Sequence, residues 1–530
     1  MSSSVNTSTA HEGRPIDSLV RDLSGNILAF VAACVVGIAI ALGSLRLTLG
    51  ILGLGSMIAL IVGLKVRIWV LIPLTWALTG VINALPFPLS VRDLGVLLAL
   101  CGLLCNSALK RVFLHSSPHF LDFLVLANFL WLLYTFYLHP VGARSFGSET
   151  FGGRTYWNFL IAGLAYWLLI RLTRCSGNHM SIRHLGTYLV AGYMVSGVIN
   201  IIAYIAPELV PYIYFFYGGV DTSPYFGFHE HSQRLIGLGP LGVILLTWFC
   251  SYRRPWKLLN PVSFGFVGLG VSIACLLASG FRSGLIWIVP AFLIGSWLHG
   301  GLWKAFKVFT VGVILVSMVV LGQGRIYDLP KPAQRALSFL PGLWDETVIK
   351  DAQGSAEWRF QLWRDILRYN MIKDWVRGDG FGVTQRDFEL TLGQGRLSEA
   401  LTIRGSFHSG PLTSIRNTGL VGLLLFYCLM IFAAFYALKC VRLAKNTELL
   451  PVAIFLGIEL IWRPLHYTLI FGSFPVQFPD TIFFIAALRL VTLALQRGQT
   501  PVVLSAKPLA CGLADENRVG RSLRLASATT

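Results

Sequence analysis

What most limits the fold of this chain is the recurrence of long apolar runs. A helix needs about 20 predominantly apolar residues to cross the hydrocarbon core of a bilayer. Fourteen runs near that length are readable, at 27–45, 48–64, 68–85, 91–108, 119–138, 156–173, 185–206, 235–252, 261–279, 284–300, 305–322, 412–438, 449–468 and 478–496. Very short links join the first two, and also 261–279 to 284–300, so 12 or 13 crossings fit the pattern as well as 14. Composition excludes the other classes. Charged residues make up 13% and hydrophobic residues 55% of the 530 positions, whereas a soluble domain carries roughly 25% charge. So few charges cannot clothe this much apolar surface in water, and a disordered chain needs low hydrophobicity. The expected fold is an all-α polytopic membrane protein with about 12–14 transmembrane helices. Residues 1–26 are polar and lack a basic stretch leading directly into a cleavable apolar core, so no signal peptide is expected.

The net charge of +18 then becomes a question of address. Basic residues in short loops collect on the cytoplasmic side. With the N-terminus placed there, 23 of the 43 Lys and Arg are cytoplasmic, against 7 acids, and the short outer links hold 8 bases against 7 acids. The remaining 12 bases lie with 11 acids in one long outer segment, and long translocated segments largely escape the rule. Inside and outside therefore alternate consistently, with both termini cytoplasmic. The excess charge is mainly an orientation signal, and no nucleic-acid partner is expected. The chain divides into a cytoplasmic N-terminal segment (1–26), a first bundle of about 11 helices (27–322), an extracytoplasmic loop domain (323–410), C-terminal transmembrane helices (411–496) and a basic tail (497–530). The tail is either solvated or touches anionic membrane lipids. None of the nine cysteines falls in an outer loop, so there is no disulfide framework to read.

Within 323–410 the clearest element is a helix around 356–371. Trp358, Leu362, Trp363, Ile366 and Leu367 form one apolar stripe at helical spacing. Two placements are open: along the membrane interface with the tryptophans at headgroup depth, or packed on the mouth of the bundle. Gly378-Asp379-Gly380-Phe381-Gly382 reads as a tight turn, because no helix-opening Lys-Ser/Thr follows it as in a phosphate-cradling loop.

Polar groups near a membrane need a reason, and four places stand out at the outer face. Arg282 sits in a Ser/Gly turn between two apolar runs, either snorkelling to the interface or aimed into a cavity. Arg234 opens the run at 235–252, just after His229 and His231; that pair has no identifiable third ligand, so no metal site is expected. His408, flanked by Ser and Gly where the chain re-enters the membrane and followed by Arg416, is a candidate catalytic histidine. Glu459 and Arg463, one turn apart, either neutralise each other or line the site. Arginine binds phosphate oxygens with a planar fork and stays charged. A histidine can take a proton from a hydroxyl near neutral pH. A lipid-facing cavity with an anion clamp and a base suits attack of a sugar hydroxyl on a lipid diphosphate-linked glycan.

The chain resembles the O-antigen ligase and O-antigen polymerase superfamily of bacterial membrane glycosyltransferases. Ser279-Gly280-Phe281-Arg282-Ser283-Gly284 is similar to the family's Ser-Gly-x-Arg-x-Gly element. Arg359 to Trp363 and Gly378 to Gly382 resemble its Arg-x-x-x-Trp helix and Gly-x-Gly-x-Gly turn. His408 to Leu412 with Thr418 to Gly422 is similar to its His-Asn-x-x-Leu and Glu-Thr-Gly-x-x-Gly signature. Ser409 stands for the usual Asn, Asn417 where an acid is common, and the Arg234 segment lacks the usual Pro-Asn.

The resemblance implies a GT-C-like inner-membrane enzyme with its long loop in the periplasm, acting in O-antigen or exopolysaccharide assembly. It implies that Arg234 and Arg282 grip the diphosphate of an undecaprenyl-linked glycan. By the same resemblance His408 would activate a hydroxyl of a glycan or lipid A-core acceptor or help organise the pyrophosphate, and Arg416, Glu459, Arg463 and Arg359 are possible lining residues. The family is inverting and needs no metal or cofactor. Two other classes are consistent with the composition: a transporter or flippase of lipid-linked oligosaccharides, which tends to show repeated halves not evident here, and a structural subunit of an envelope complex.

Overall fold

The computed structural model describes residues 45–85, 89–105, 119–141, 152–172, 182–220, 235, 237–382 and 407–499. Within them the protein is all-α, with two isolated β-bridges and no strand. The helices in chain order are α1 (Leu45–Leu64), α2 (Leu71–Thr75), α3 (Val91–Cys105), α4 (Phe120–Leu138), α5 (Gly153–Leu172), α6 (Leu185–Ile205) and α7 (Val210–Phe216). Then come α8 (Leu238–Tyr252), α9 (Pro255–Leu258), α10 (Phe264–Ser279), α11 (Arg282–Ile286), α12 (Ile288–Gly300) and α13 (Leu302–Gly322). The long segment after α13 contributes α14 (Lys331–Leu337) and α15 (Glu346–Arg368), and the chain continues through α16 (Gly410–Leu443), α17 (Leu450–Leu465) and α18 (Phe474–Gln499).

Seven helical stretches among the described residues are long and apolar enough to cross a membrane, or eight when the bent pair Gly55–Leu64 and Arg67–Thr75 is taken as one. The protein is therefore a multi-pass membrane protein. α8 and α10 fall on expected runs but are shorter, at 15 and 16 residues, and α3 is a further short helix on its run. Most of the run at 27–45 lies outside the described residues.

The run at 68–85 is a correction. A 3-10 helix at Lys65–Val70 leads into α2, which stops at Thr75, and turns and irregular backbone follow to Leu85. The Val81 carbonyl accepts from Gly218 N (2.7 Å), and Val81 bridges Ser90. Apolar composition alone does not separate a helix from an extended segment whose backbone finds other partners.

Burial orders the bundle. In α18, 94% of the apolar window is buried, against 22% in α13. A helix that is apolar all round and enclosed by protein is a core helix, and α18 packs on α5, α16 and α17. The exposed Phe309, Val313, Ile314 and Met318 of α13 form the surface that lipid covers. One end of the bundle carries the Arg183–Glu448 and Arg489–Asp122 ion pairs (3.1 and 3.0 Å). The other end joins Gly152 N to the Phe381 carbonyl (2.7 Å) and Leu235 N to the Ala278 carbonyl (3.1 Å).

The part of the long segment at 323–382 packs on this second end. α14 lies against α10, α11 and α15. Of the two placements open for α15, packing on the bundle mouth is the one observed. Trp363 Nε1 donates to the Phe407 carbonyl (2.8 Å), and Ile366 is buried with Ile372, Phe407 and Ile415. Leu367 faces out at 57% exposure, so the stripe is narrower than the sequence suggests.

α16 is broken at Gly419 (φ 70°, ψ −179°), inside an apolar run that reads as uninterrupted. The Gly378–Gly382 turn fits into the break. Asp379 N donates to the Arg416 carbonyl (2.8 Å) and Gly380 N to the Asn417 carbonyl (3.2 Å). Leu420 N donates to the Trp375 carbonyl (2.8 Å), and Trp131 Nε1 caps the Thr418 carbonyl (2.7 Å). A Cβ on Gly419 would lie 2.0 Å from the Val376 oxygen, and one on Gly378 would lie 2.5 Å from Gly419 N. Both the left-handed backbone and the close approach therefore require glycine. We predict that Gly419→Ala lowers stability by about 2 kcal/mol or more, from backbone strain and overpacking together. A thermal unfolding curve in detergent checks this, and an unchanged midpoint would refute the wedge.

Candidate functional site

Arg282 is placed by the turn that ends α10. Gly280 caps α10 in the left-handed conformation, Ser279 Oγ accepts from Phe281 N, and Arg282 opens α11. Its Nε donates to the Arg335 carbonyl (3.3 Å) and an Nη to Ser338 Oγ (3.5 Å), which ties α14 over the turn. From α15, Arg359 comes into the same space. Burial, then the positive charges of Arg282 and Arg335, pull its guanidinium below its ordinary pKa. It is nonetheless a cation at neutral pH. No carboxylate or hydrogen-bond acceptor meets Arg359 among the described residues.

Arg359 also acts on His408. The histidine's pKa lies below its ordinary value, first through burial and then through the Arg359 charge, so the ring is neutral at pH 7. The imidazole stands between Trp358 and Phe471, with ring centroids 5.4 and 5.6 Å away. Nδ1 is buried without a hydrogen-bond partner among the described residues. His408 has φ +49°, a conformation uncommon outside glycine that costs of order 1 kcal/mol or more. Two anchors hold it there. Trp363 bonds the carbonyl of Phe407 before it, and Tyr467 Oη donates to the Gly410 carbonyl after it (2.8 Å).

The structure thus joins His408, Arg282 and Arg359 and adds Arg335. Nothing in the local sequence around Arg335 distinguishes it from the other bases of the long segment; only the docking of α14 brings it in. Arg234 lies outside the described residues, as do His229 and His231.

Arg416 has a different role. It is buried, lies 3.7 Å from Asp379, and donates to the Gly380 carbonyl (3.0 Å), so it holds the turn in the helix break. Glu459 and Arg463 pair inside the bundle. Glu459 accepts from Thr247 Oγ1 (3.1 Å) and lies 3.5 Å from Arg463. Arg463 reaches Thr481 (3.3 Å) and lies over the Phe484 ring at 4.7 Å. Of the two readings of this pair, mutual neutralisation is the one its contacts fit. Trp287 Nε1 donates to the same Thr247 hydroxyl (3.1 Å), which connects the pair to the residue following α11.

A second buried polar group was not singled out in the sequence. Asp93 Oδ2 accepts from Arg154 (3.0 Å), Trp157 Nε1 (3.1 Å) and Ser90 N (2.9 Å), and Arg92 donates to Asn158 (2.8 Å). An acid at the start of an apolar run is the signal that points to it. These contacts join α3 to α5.

No three His, Cys, Asp or Glu side chains converge on one point among the described residues. No protein-family model matches the chain, and no curated protein matches it.

The two kinds of arginine should separate in stability measurements. Arg416→Ala removes the donor to the Gly380 carbonyl and leaves the buried Asp379 carboxylate with only the amides of Lys373 and Asp374 (3.0 Å each), and we predict a loss of about 3–5 kcal/mol. Arg359→Gln relieves like-charge repulsion and should leave the thermal midpoint unchanged or raised. Equal destabilisation by both would show that Arg359 is structural.

Proposed function

We propose that this chain is a membrane glycosyltransferase. It moves a glycan from an undecaprenyl-diphosphate donor to a sugar hydroxyl at the outer face of a bacterial inner membrane, as a ligase or polymerase of surface polysaccharide. The observation that carries the reading is Arg359. It is a half-buried arginine without an acid partner among the described residues, repelled by Arg282 and Arg335 and adjacent to a neutral histidine. Such a site is completed by an anion, and a diphosphate supplies oxygens to several guanidiniums at once.

In this scheme the diphosphate oxygens lie against Arg282, Arg335 and Arg359. A ring nitrogen of His408 takes the proton from the acceptor hydroxyl as its oxygen bonds to the anomeric carbon. The bond from that carbon to the diphosphate oxygen breaks, and the electron pair leaves with the lipid diphosphate. The arginines stabilise the charge that develops there. Attack from the face opposite the leaving group inverts the anomeric centre. Arg234 is a further diphosphate ligand by the resemblance alone. The sidedness, with both termini cytoplasmic, rests on the basic-residue distribution.

Arg282→Ala or His408→Ala, each expressed in a strain lacking the native gene, should lower glycan transfer by about 10²–10⁴-fold at normal protein level. Unchanged polysaccharide ladders would overturn the assignment. Retention of single-repeat caps in the null strain identifies a polymerase, and loss of all capped acceptor a ligase. The pH profile gives a separate check. Because His408 titrates below an ordinary histidine, the acidic limb of kcat/KM should lie at lower pH than an ordinary histidine gives, with activity falling as the ring protonates. Arg359→Gln removes a charge that depresses this pKa, so its acidic limb should move to higher pH. An unshifted limb would contradict the coupling.

A further inference from the structure

The opposite end of the bundle holds a second cation-lined site. The link from α8 to α10 folds around a cavity of about 490 Å³, lined by Arg253, Trp256, Lys257, Asn260, Ser263 and Phe264 among others. Two cations approach one ring there. The Arg254 guanidinium lies 5.9 Å from the Trp256 ring centre and Lys304 Nζ from α13 lies 5.5 Å from it. One turn on, Lys307 stands 5.4 Å from the Trp303 ring. These five bases have no nearby acid in the sequence, since no Asp or Glu occurs between Glu230 and Asp328. Among the described residues none of the five forms an ion pair.

The surroundings decide which anion fits. Beside the cations, Val262 (92% exposed), Phe264 (77%), Leu302 (74%) and Trp303 (66%) leave large apolar groups uncovered. A soluble anion has no use for such a rim. A phospholipid has both halves of the match, a phosphate for the basic cavity and acyl chains for the exposed apolar faces of α10 and α13. The position agrees. The cavity is at the start of α10 and Arg282 follows its far end, so the two sites are about 24 Å apart along a 16-residue helix. That distance places the cavity near the other membrane surface, where basic pockets between helices hold anionic headgroups.

We infer that the cavity between α8 and α10 binds an anionic glycerophospholipid, with its phosphate at Arg253, Lys257 and Lys304 and Trp256 under the headgroup. This site is separate from the one proposed for catalysis and does not depend on that reading.

Native mass spectrometry of the full chain tests it, with phosphatidylglycerol and phosphatidylcholine as probes. The wild type should retain phosphatidylglycerol at least tenfold more tightly. The triple variant Arg253→Gln, Lys257→Gln, Lys304→Gln should lose that preference about tenfold, while a control triple at the same end of the molecule, Lys439→Gln, Arg442→Gln, Lys445→Gln, stays within twofold. Lys257→Gln alone, a change at an exposed position, should lose two- to threefold and serves if the triple variant does not fold. Undiminished retention in the site variants would overturn the inference, as would an equal loss in the control. Displacement of the lipid by millimolar inorganic phosphate would show a site for soluble anions and would overturn the lipid assignment.

Discussion

The break in α16 at Gly419 is the constraint on which the rest of the candidate-site end of the bundle depends. Away from water a backbone carbonyl without a partner costs several kcal/mol, and the break deprives Arg416, Asn417 and Thr418 of ordinary helical donors. The Gly378–Gly382 turn and Trp131 supply the missing donors, and Arg416 with Asp379 fastens the turn in place. The turn cannot leave without exposing these carbonyls, so the segment carrying α14 and α15 is bound to the bundle by backbone hydrogen bonds as well as by side-chain packing. α15 ends just before this turn, and its Trp358, Arg359 and Trp363 are thereby fixed relative to His408. The precision of the candidate site derives from a defect in a transmembrane helix.

The treatment of arginine elsewhere in the chain gives Arg359 its meaning. Among the described residues each buried arginine, Arg92, Arg154, Arg416, Arg463 and Arg489, lies within 4 Å of a carboxylate, on Asp93, Asp93, Asp379, Glu459 and Asp122 respectively. That is how a protein tolerates such charges away from water. Arg359 departs from the pattern in a place where two more guanidiniums converge. A cluster of like charges raises the energy of the empty site and lowers that of the site with an anion in it. Next to it, burial keeps His408 neutral and able to accept a proton. The mouth of the bundle thus gathers three guanidiniums beside a neutral imidazole, and the strained backbone at His408 is held by anchors on both sides.

Much of the fold was legible because the membrane simplifies the code. Long apolar runs mapped onto helices almost one for one among the described residues. The misses have physical reasons. The run at 68–85 is apolar throughout but meets its backbone partners at Gly218 and Ser90, which no window of sequence reveals. The break at Gly419 lies in an apolar run, and glycine there reads as an ordinary helix residue until the Gly378–Gly382 turn is seen in contact with it. In the site, Arg282, Arg359 and His408 stood out through their glycine- and serine-rich surroundings or their place in a resembling motif. Arg335 did not, because its role comes from tertiary docking. Glu459 with Arg463 and Arg416 look alike in sequence, and only their partners identify them as internal ties.

The most direct test is a structure of the chain with a polyprenyl diphosphate-linked oligosaccharide bound. The account predicts density for the diphosphate among Arg282, Arg335 and Arg359, with the anomeric carbon turned toward the imidazole of His408. A donor whose diphosphate lay away from these guanidiniums, with Arg359 still without an anionic partner, would contradict it.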